Sequence, residues 1–241
     1  MIKLYQFPLS HYCEKVRWAL EYKGLEYERV NLVPGPHFGT VKKLQVKDTT
    51  VPILDDSGHL VQNSSDIITY LDEKYPEKLL TPTNTEDAKS ALEWELYLDK
   101  EIGVNLRRCG YHILLNERKI TLSYITDGSP FLPKLMVSWL FPFLKKRMIK
   151  ILNINDQTAK HSHEKALEAL IKVETELKDK DYLVGSSFSR ADLTAASLAA
   201  LLFWPPKYGF TPKMRSANLE AFSETMRPRA QWVLDYYEKY R

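Results

Sequence analysis

Apolar and polar positions alternate over residues 2–7, where Ile2 and Leu4 interleave with Lys3 and Tyr5, and a period of two predicts a strand. The period then changes. Val16, Ala19, Leu20 and Lys23 recur at helical spacing over 11–23, and Gly24 is placed to end that helix as a C′ residue. Leu25 to Leu32 reads as a second strand. Residues 33–50 are loop-like around Pro34-Gly35-Pro36, with a short helix at Val41–Leu44. Ile53 to Val61 reads as a hairpin turning on Ser57-Gly58. Ile67, Ile68 and Leu71 mark an amphipathic helix over 64–75, stopped before Pro76. The order β-α-β, then β-β-α, predicts a small α/β unit over residues 1–78.

Residues 76–88 are polar and rich in Pro and Thr, and read as a linker. No strand pattern follows. Helical periodicity covers 89–108, 111–126, 132–152, 156–178, 190–203 and 216–240. Breaks lie at Asp127-Gly128-Ser129-Pro130, Gly185 and Trp204-Pro205-Pro206. Residues 89–241 are therefore predicted to be all-α.

Composition alters this picture little. With 44% hydrophobic and 27% charged residues in 241, the chain is of ordinary globular type. A net charge of +3 is too small to argue for nucleic acid, but its distribution is uneven. Residues 102–155 hold nine Lys/Arg against Glu117 and Asp127, a net +7 that leaves −4 for the rest. Such a pole is a solvated helix face or an attractor of anions and acidic membrane surfaces. Cys13 and Cys109 fit neither a disulfide framework nor a metal spacing. His161 and His163 diverge on a helix, so no metal site is expected there. The chain enters a strand at once and its longest apolar stretch, Leu135 to Leu144, is broken by Pro142. No signal peptide or membrane span is expected, and the predicted location is cytoplasmic.

The candidate chemistry sits in the first third. Ser10 immediately precedes the first helix, whose open end carries free N–H groups and partial positive charge and so favours an anion such as a thiolate. Lowering a thiol from pKa ~8.5 by two units takes about 2.7 kcal/mol. One charge-assisted hydrogen bond from Ser10 contributes roughly 1.5–3 kcal/mol, and the helix end adds about 0.3–1. The alternative makes Ser10 only an N-cap. Cys13, one turn further in, is a packing residue or a redox thiol, and with Ser10 as its partner no C-x-x-C couple exists. Val51-Pro52 stands where a strand starts. If the bond is cis, the Val51 backbone N–H and C=O turn outward and can pair with a peptide as an added strand does. Asn63-Ser64 opens another helix, a position that caps the helix or binds a carboxylate.

Together these residues resemble the glutathione transferase superfamily over nearly the whole chain. Leu4-Tyr5, followed by Leu9-Ser10-His11-Tyr12-Cys13, is similar to the serine-type pattern. The resemblance implies a thioredoxin-like domain followed by a helical domain, with glutathione as co-substrate, a detoxifying transferase activity and a homodimer. It implies that Ser10 activates the thiol. Thr50-Val51-Pro52 matches the cis-proline segment, Asn63-Ser64 the γ-glutamyl site, and His37 the residue that meets the glycine carboxylate. Tyr182 to Asp192 resembles the family's capping-box segment, with Ser189 as N-cap, Asp192 at N3 and Phe188 stapling onto Leu193. This last match speaks for the fold alone. Departures from the pattern are Asn63, where a longer Glu or Gln is common, and Thr49-Thr50 before Val51.

By the same resemblance an apolar electrophile lies between the domains, and Tyr111, His112 and Leu115 are candidate wall residues, with Trp139, Phe143, Phe203 and Trp204 beside them. The aromatic, then basic stretch 131–150 either packs on the helical part with its lysines in water or lies on a membrane surface. Three functional readings follow: a transferase using Ser10, a Cys13-dependent thiol transferase, and a non-catalytic binding or membrane-surface protein.

Overall fold

Strand β1 (Ile2–Gln6) lies at the centre of a four-stranded sheet in the computed structural model, which describes residues 1–241. It pairs in parallel with β2 (Tyr27–Asn31), and antiparallel with β3 (Ile53–Asp56), which continues into β4 (His59–Gln62). The order is β2-β1-β3-β4. The parallel pair needs a crossover, which α1 (His11–Tyr22) supplies. Gly24, at φ 71°, closes that helix: its N–H donates to the Glu21 carbonyl and the Leu25 N–H to that of Leu20, the Schellman pattern. Helix α2 (His37–Leu44) follows β2, and α3 (Ser64–Lys74) follows the hairpin.

The helical part comprises α4 (Thr85–Leu98), α5 (Asn105–Leu114), α6 (Arg118–Ile125), α7 (Phe131–Ile151), α8 (Asp156–Glu176), α9 (Arg190–Ala199), α10 (Ala217–Met226) and α11 (Trp232–Tyr240). A wide π turn at Asp99–Val104 joins α4 to α5. Helix α9 is buried along its whole length. It can be, because its small residues admit close neighbours and its open end is satisfied internally. Asp192 accepts from the Ser189 and Leu183 N–H groups, and Ser189 accepts from the Ala191 N–H. Phe188 joins an aromatic group with Trp18, Tyr22 and Tyr240, in the same core cluster as Leu193.

The two parts are locked by charges taken out of water. Lys15 Nζ meets Glu95 at 2.6 Å and Asp99 at 3.0 Å, with the Lys15 and Glu95 side chains fully buried. Arg190 meets the other oxygen of Glu95 at 2.5 Å and donates to Ser65 and Thr69 across the boundary. Tyr12 and His11 then clamp the π turn, the first donating to the Asp99 carbonyl at 2.6 Å, the second meeting that of Gly103 at 3.0 Å. Glycine is required at 103 by this approach: a Cβ there would meet Tyr12 Cζ at 2.7 Å.

Several predicted boundaries move. Helix α2 is twice the expected length, because Pro34-Gly35-Pro36 hides the pairing of buried His37 and Val41 one turn apart. The segment read as a linker up to residue 88 already enters α4 at Thr85, capped by the Asn84 side chain. The helix read over 111–126 breaks at 115–117, and that over 216–240 breaks at Arg227-Pro228-Arg229, since proline has no N–H to continue it. Helix α7 runs straight through Pro142. The Ser138 carbonyl that proline leaves without a partner accepts instead from Arg118 at 2.8 Å. Only Val137 and Phe141 of this helix are buried, so the packing expected for 131–150 holds for one face alone.

Candidate functional site

Ser10 stands at the open end of α1, held there from three sides. Its N–H donates to the Phe7 carbonyl at 3.0 Å. Arg17 takes the Pro8 carbonyl at 3.2 Å, and Tyr208, from the helical part, takes the Leu9 carbonyl at 3.0 Å. The Ser10 hydroxyl oxygen accepts from the Cys13 N–H over a long 3.4 Å, and its own proton meets no nitrogen or oxygen acceptor in the chain. The N–H groups of His11 and Tyr12 are likewise unpaired. One hydroxyl and two amides are thus available to an anion at this point.

Ser10 lines the larger of two cavities that share part of their walls. The larger, about 600 Å³, runs between the loops after β1 and β2 and the faces of α5 and α7. It is lined mainly by apolar side chains, with Ser10, Tyr111, Phe143 and Trp204 on its walls and no Asp or Glu anywhere. The smaller, about 430 Å³, is polar and holds Lys47, Asp48, Thr50, Val51, Pro52, Gln62, Asn63, Ser64 and Asp66. Tyr12, Thr50, Val51 and Arg107 border both.

The Val51–Pro52 bond is cis, and neither the N–H nor the C=O of Val51 has a hydrogen-bond partner. Gln62 fixes this segment by accepting from the Asp48 N–H and donating to the Asp48 and Thr50 carbonyls. Asn63, at φ 81°, caps α3 through the Ser65 N–H and is itself exposed, whereas the Ser64 N–H and hydroxyl have no partner in the chain. Asp66 stands in the first turn of the same helix and lines the polar cavity.

The candidates separate on this geometry. Ser10, Thr50, Val51, Pro52, Asn63 and Ser64 converge around the two cavities. His37 lines the larger, but both of its ring nitrogens are engaged. The Gly35 N–H donates to Nδ1 at 3.0 Å, so the proton is on Nε2, which donates to the Thr49 carbonyl at 3.1 Å. Burial pushes its imidazole below the usual range. His37 thus braces the 49–51 segment with both ring nitrogens engaged inside the chain. Cys13 is fully buried, lines neither cavity, and burial pushes its thiol up despite Arg17 and Ser10 nearby. The reactive form of a redox cysteine is an accessible thiolate, which this burial disfavours. On α5, Tyr111 lines the cleft together with Arg107, Gly110 and Leu114, the i, i+3, i+4, i+7 face. His112 and Leu115 fall outside that face. The first meets Asp156 at 2.9 Å, and the second packs with Phe141 and Ile154. Trp139, which is exposed, and Phe203 likewise do not line the cleft.

Sequence reasoning missed Arg107. Its guanidinium makes no ion pair or hydrogen bond within the chain and lies 5.8 Å from the Tyr12 ring centroid. A lone arginine in a basic run carries no signal by itself; only the helix face that it shares with Tyr111 distinguishes it. Arg147, over the Phe38 ring at 4.9 Å, adds a second cation to the cleft. The histidines add none. Burial, with Arg107 close by, holds His11 at about 3. Burial also pushes the Tyr12 and Tyr111 hydroxyls up, so both stay protonated.

Residues 4–79 match the family described as glutathione S-transferase, N-terminal domain, and residues 132–230 that described as glutathione S-transferase, C-terminal domain. Glutathione S-transferase Z1 of Arabidopsis thaliana is 35% identical over 147 residues, 57% of this chain and 66% of its own length. Against Glutathione S-transferase Z2 of Arabidopsis thaliana and a zeta-class glutathione S-transferase of Euphorbia esula, the matched stretch spans only 38% and 42% of their length. Among solved structures, a glutathione S-transferase from Rhodospirillum rubrum superposes with a TM-score of 0.66 at 20% identity, covering 100% of this chain and 89% of that one. One from Ceriporiopsis subvermispora, in complex with glutathione, gives 0.66 at 18% identity, covering 100% and 97%. At such identity these two structures speak for the fold.

Proposed function

Because this chain belongs to the glutathione S-transferase superfamily, we propose that it is a glutathione-dependent transferase in which Ser10 and the open end of α1 hold the glutathione sulfur as a thiolate. The observation that carries this reading is the unclaimed Ser10 hydroxyl proton, set beside two free amides where a polar cavity opens into an apolar one. Glutathione fits the polar cavity group by group. The cysteinyl backbone pairs with the free N–H and C=O of Val51 as an added strand. The γ-glutamyl carboxylate accepts from the Ser64 N–H and hydroxyl at the start of α3, and Asp66 meets its ammonium group. Lys47, without an ion pair in the chain, replaces His37 at the glycine carboxylate.

The thiol proton leaves to water, because Ser10 only donates a hydrogen bond and remains protonated. The thiolate then attacks an electrophile in the apolar cleft, whose lining includes Arg107 and Arg147 and no acid, which favours negative charge developing in the transition state. That a solved neighbour binds glutathione supports the same reading.

Retention on glutathione-agarose together with conjugation of chlorodinitrobenzene tests the proposal. Ser64→Ala should raise KM for glutathione roughly tenfold with little change in kcat, the loss of about one hydrogen bond to a charged group. Absence of binding at millimolar glutathione would overturn it. Retention without turnover would mark a binding protein instead.

A further inference from the structure

Helix α7 exposes apolar side chains in a way no other element does. Of the chain's fifteen exposed large hydrophobic residues, eight lie on this helix. Met136, Leu140, Phe143 and Ile151 form the outer wall of the cleft. Leu132, Leu135 and Trp139 do not reach it and form a separate stripe at i, i+3, i+7 on the outer face, 74%, 56% and 81% exposed, with Phe131 at its end. On that same face Lys146 and Lys150 follow in the next turns, while Lys134, between Leu132 and Leu135 in sequence, lies more than a third of a turn round the helix. The helix holds five Lys/Arg in 21 residues and no acid. Lys134, Lys146 and Lys150 have no carboxylate partner in the chain, whereas Lys165, Lys180 and Lys213 each meet one.

We propose that the outer face of α7 seats the protein on an anionic lipid surface, its Trp139 stripe in the headgroup region and its lysines on the acidic lipids. Three features favour this occupant. An exposed apolar stripe flanked by unpaired cations is what a monotopic interfacial helix presents. The charge is of one sign, so it complements anionic lipid and opposes a second copy, whose α7 would bring five further cations against it. No helix of the chain is long and apolar enough to cross a membrane, so the helix lies on the surface. Because the stripe adjoins Met136 and Phe143 at the cleft, seating α7 places the cleft mouth at the lipid. The apolar co-substrate then enters from the bilayer, a corollary that rests on the transferase reading.

Co-sedimentation of the full chain with phosphatidylcholine vesicles, with and without phosphatidylglycerol, tests the seating in the absence of glutathione, so its failure is independent of the chemistry at Ser10. Binding should require phosphatidylglycerol and weaken with added salt. Trp139 fluorescence should shift to the blue on binding, and Trp139→Phe should remove the shift while keeping most of the affinity. Leu135→Ser with Trp139→Ser should abolish sedimentation. Lys134→Gln, Lys146→Gln and Lys150→Gln together should reduce it about 100-fold. None of these residues lines either cavity, so conjugation in solution should be unchanged and reports that the variants are folded. Two results overturn the proposal: equal sedimentation of the folded Leu135/Trp139 variant and the native chain, or a concentration-dependent dimer in solution that the same two substitutions dissolve, which would make the stripe a contact between copies.

Discussion

Replacing Ser10 by alanine separates a chemical from a structural role, because its two hydrogen bonds differ so much in quality. The bond it accepts, from the Cys13 N–H, is 3.4 Å long. Losing so weak a cap costs about 0.5 kcal/mol, the low end of the range for N-caps, and the Phe7, Pro8 and Leu9 contacts that fix the loop are all backbone carbonyls that alanine leaves intact. The bond that it would donate to a bound thiolate is charge-assisted, worth roughly 1.5–3 kcal/mol. At 1.36 kcal/mol per unit, the thiol pKa of bound glutathione should rise by about 1–2 units. The helix end, unaltered, still supplies about 0.3–1 kcal/mol, so the pKa should not return fully to its solution value of ~8.5. Ultraviolet absorbance of the thiolate, titrated at saturating glutathione, reads this directly. The kcat for conjugation near neutral pH should fall about 10- to 100-fold and recover partly at alkaline pH, while denaturant unfolding shows little change. A variant with unaltered thiol titration, or one whose loss of activity persists at high pH, would refute the assignment of the hydroxyl as the thiolate's donor.

Arg107→Gln should raise the same thiol pKa by a smaller amount, on the order of 1 kcal/mol of lost attraction. The His11 imidazole should rise with it, since Arg107 is among the groups holding it down, and NMR titration would follow both. Glu95→Gln leaves buried Lys15 and Arg190 short of a counter-charge and should cost about 3–5 kcal/mol in urea unfolding. Acid should unfold the chain in a window set by its buried histidines. The unfolded state binds a proton near pH 6.5, but folded His11 does so only at about 3 and folded His37 also below its usual range. The unfolded form therefore carries more protons as pH falls from 6.5 towards 3, and stability drops by up to ~1.4 kcal/mol per pH unit for each. His11→Gln should flatten that slope, as measured by unfolding at a series of pH values.

The strand and helix order of the first third, the capping box at Ser189-Asp192 and the cluster Ser10, Val51-Pro52 and Ser64 were legible in the chain itself. Each is a local device: a period of two or 3.6, a cap within three residues, a proline at a strand mouth. Local rules also located the helical half and the helix through Pro142, but ran helices across 115–117 and Arg227-Pro228-Arg229, where the chain breaks. What a residue faces was decided only by packing. His37 and Cys13 are equally good candidates in sequence, yet one is bonded at both nitrogens and the other sealed inside α1. His112 differs from Tyr111 by one position, which on a helix is a 100° turn away from the cleft. Arg107 acquired its significance only when α5 was laid beside Tyr12, since a charge has a role through its neighbours, and those come from distant parts of the chain.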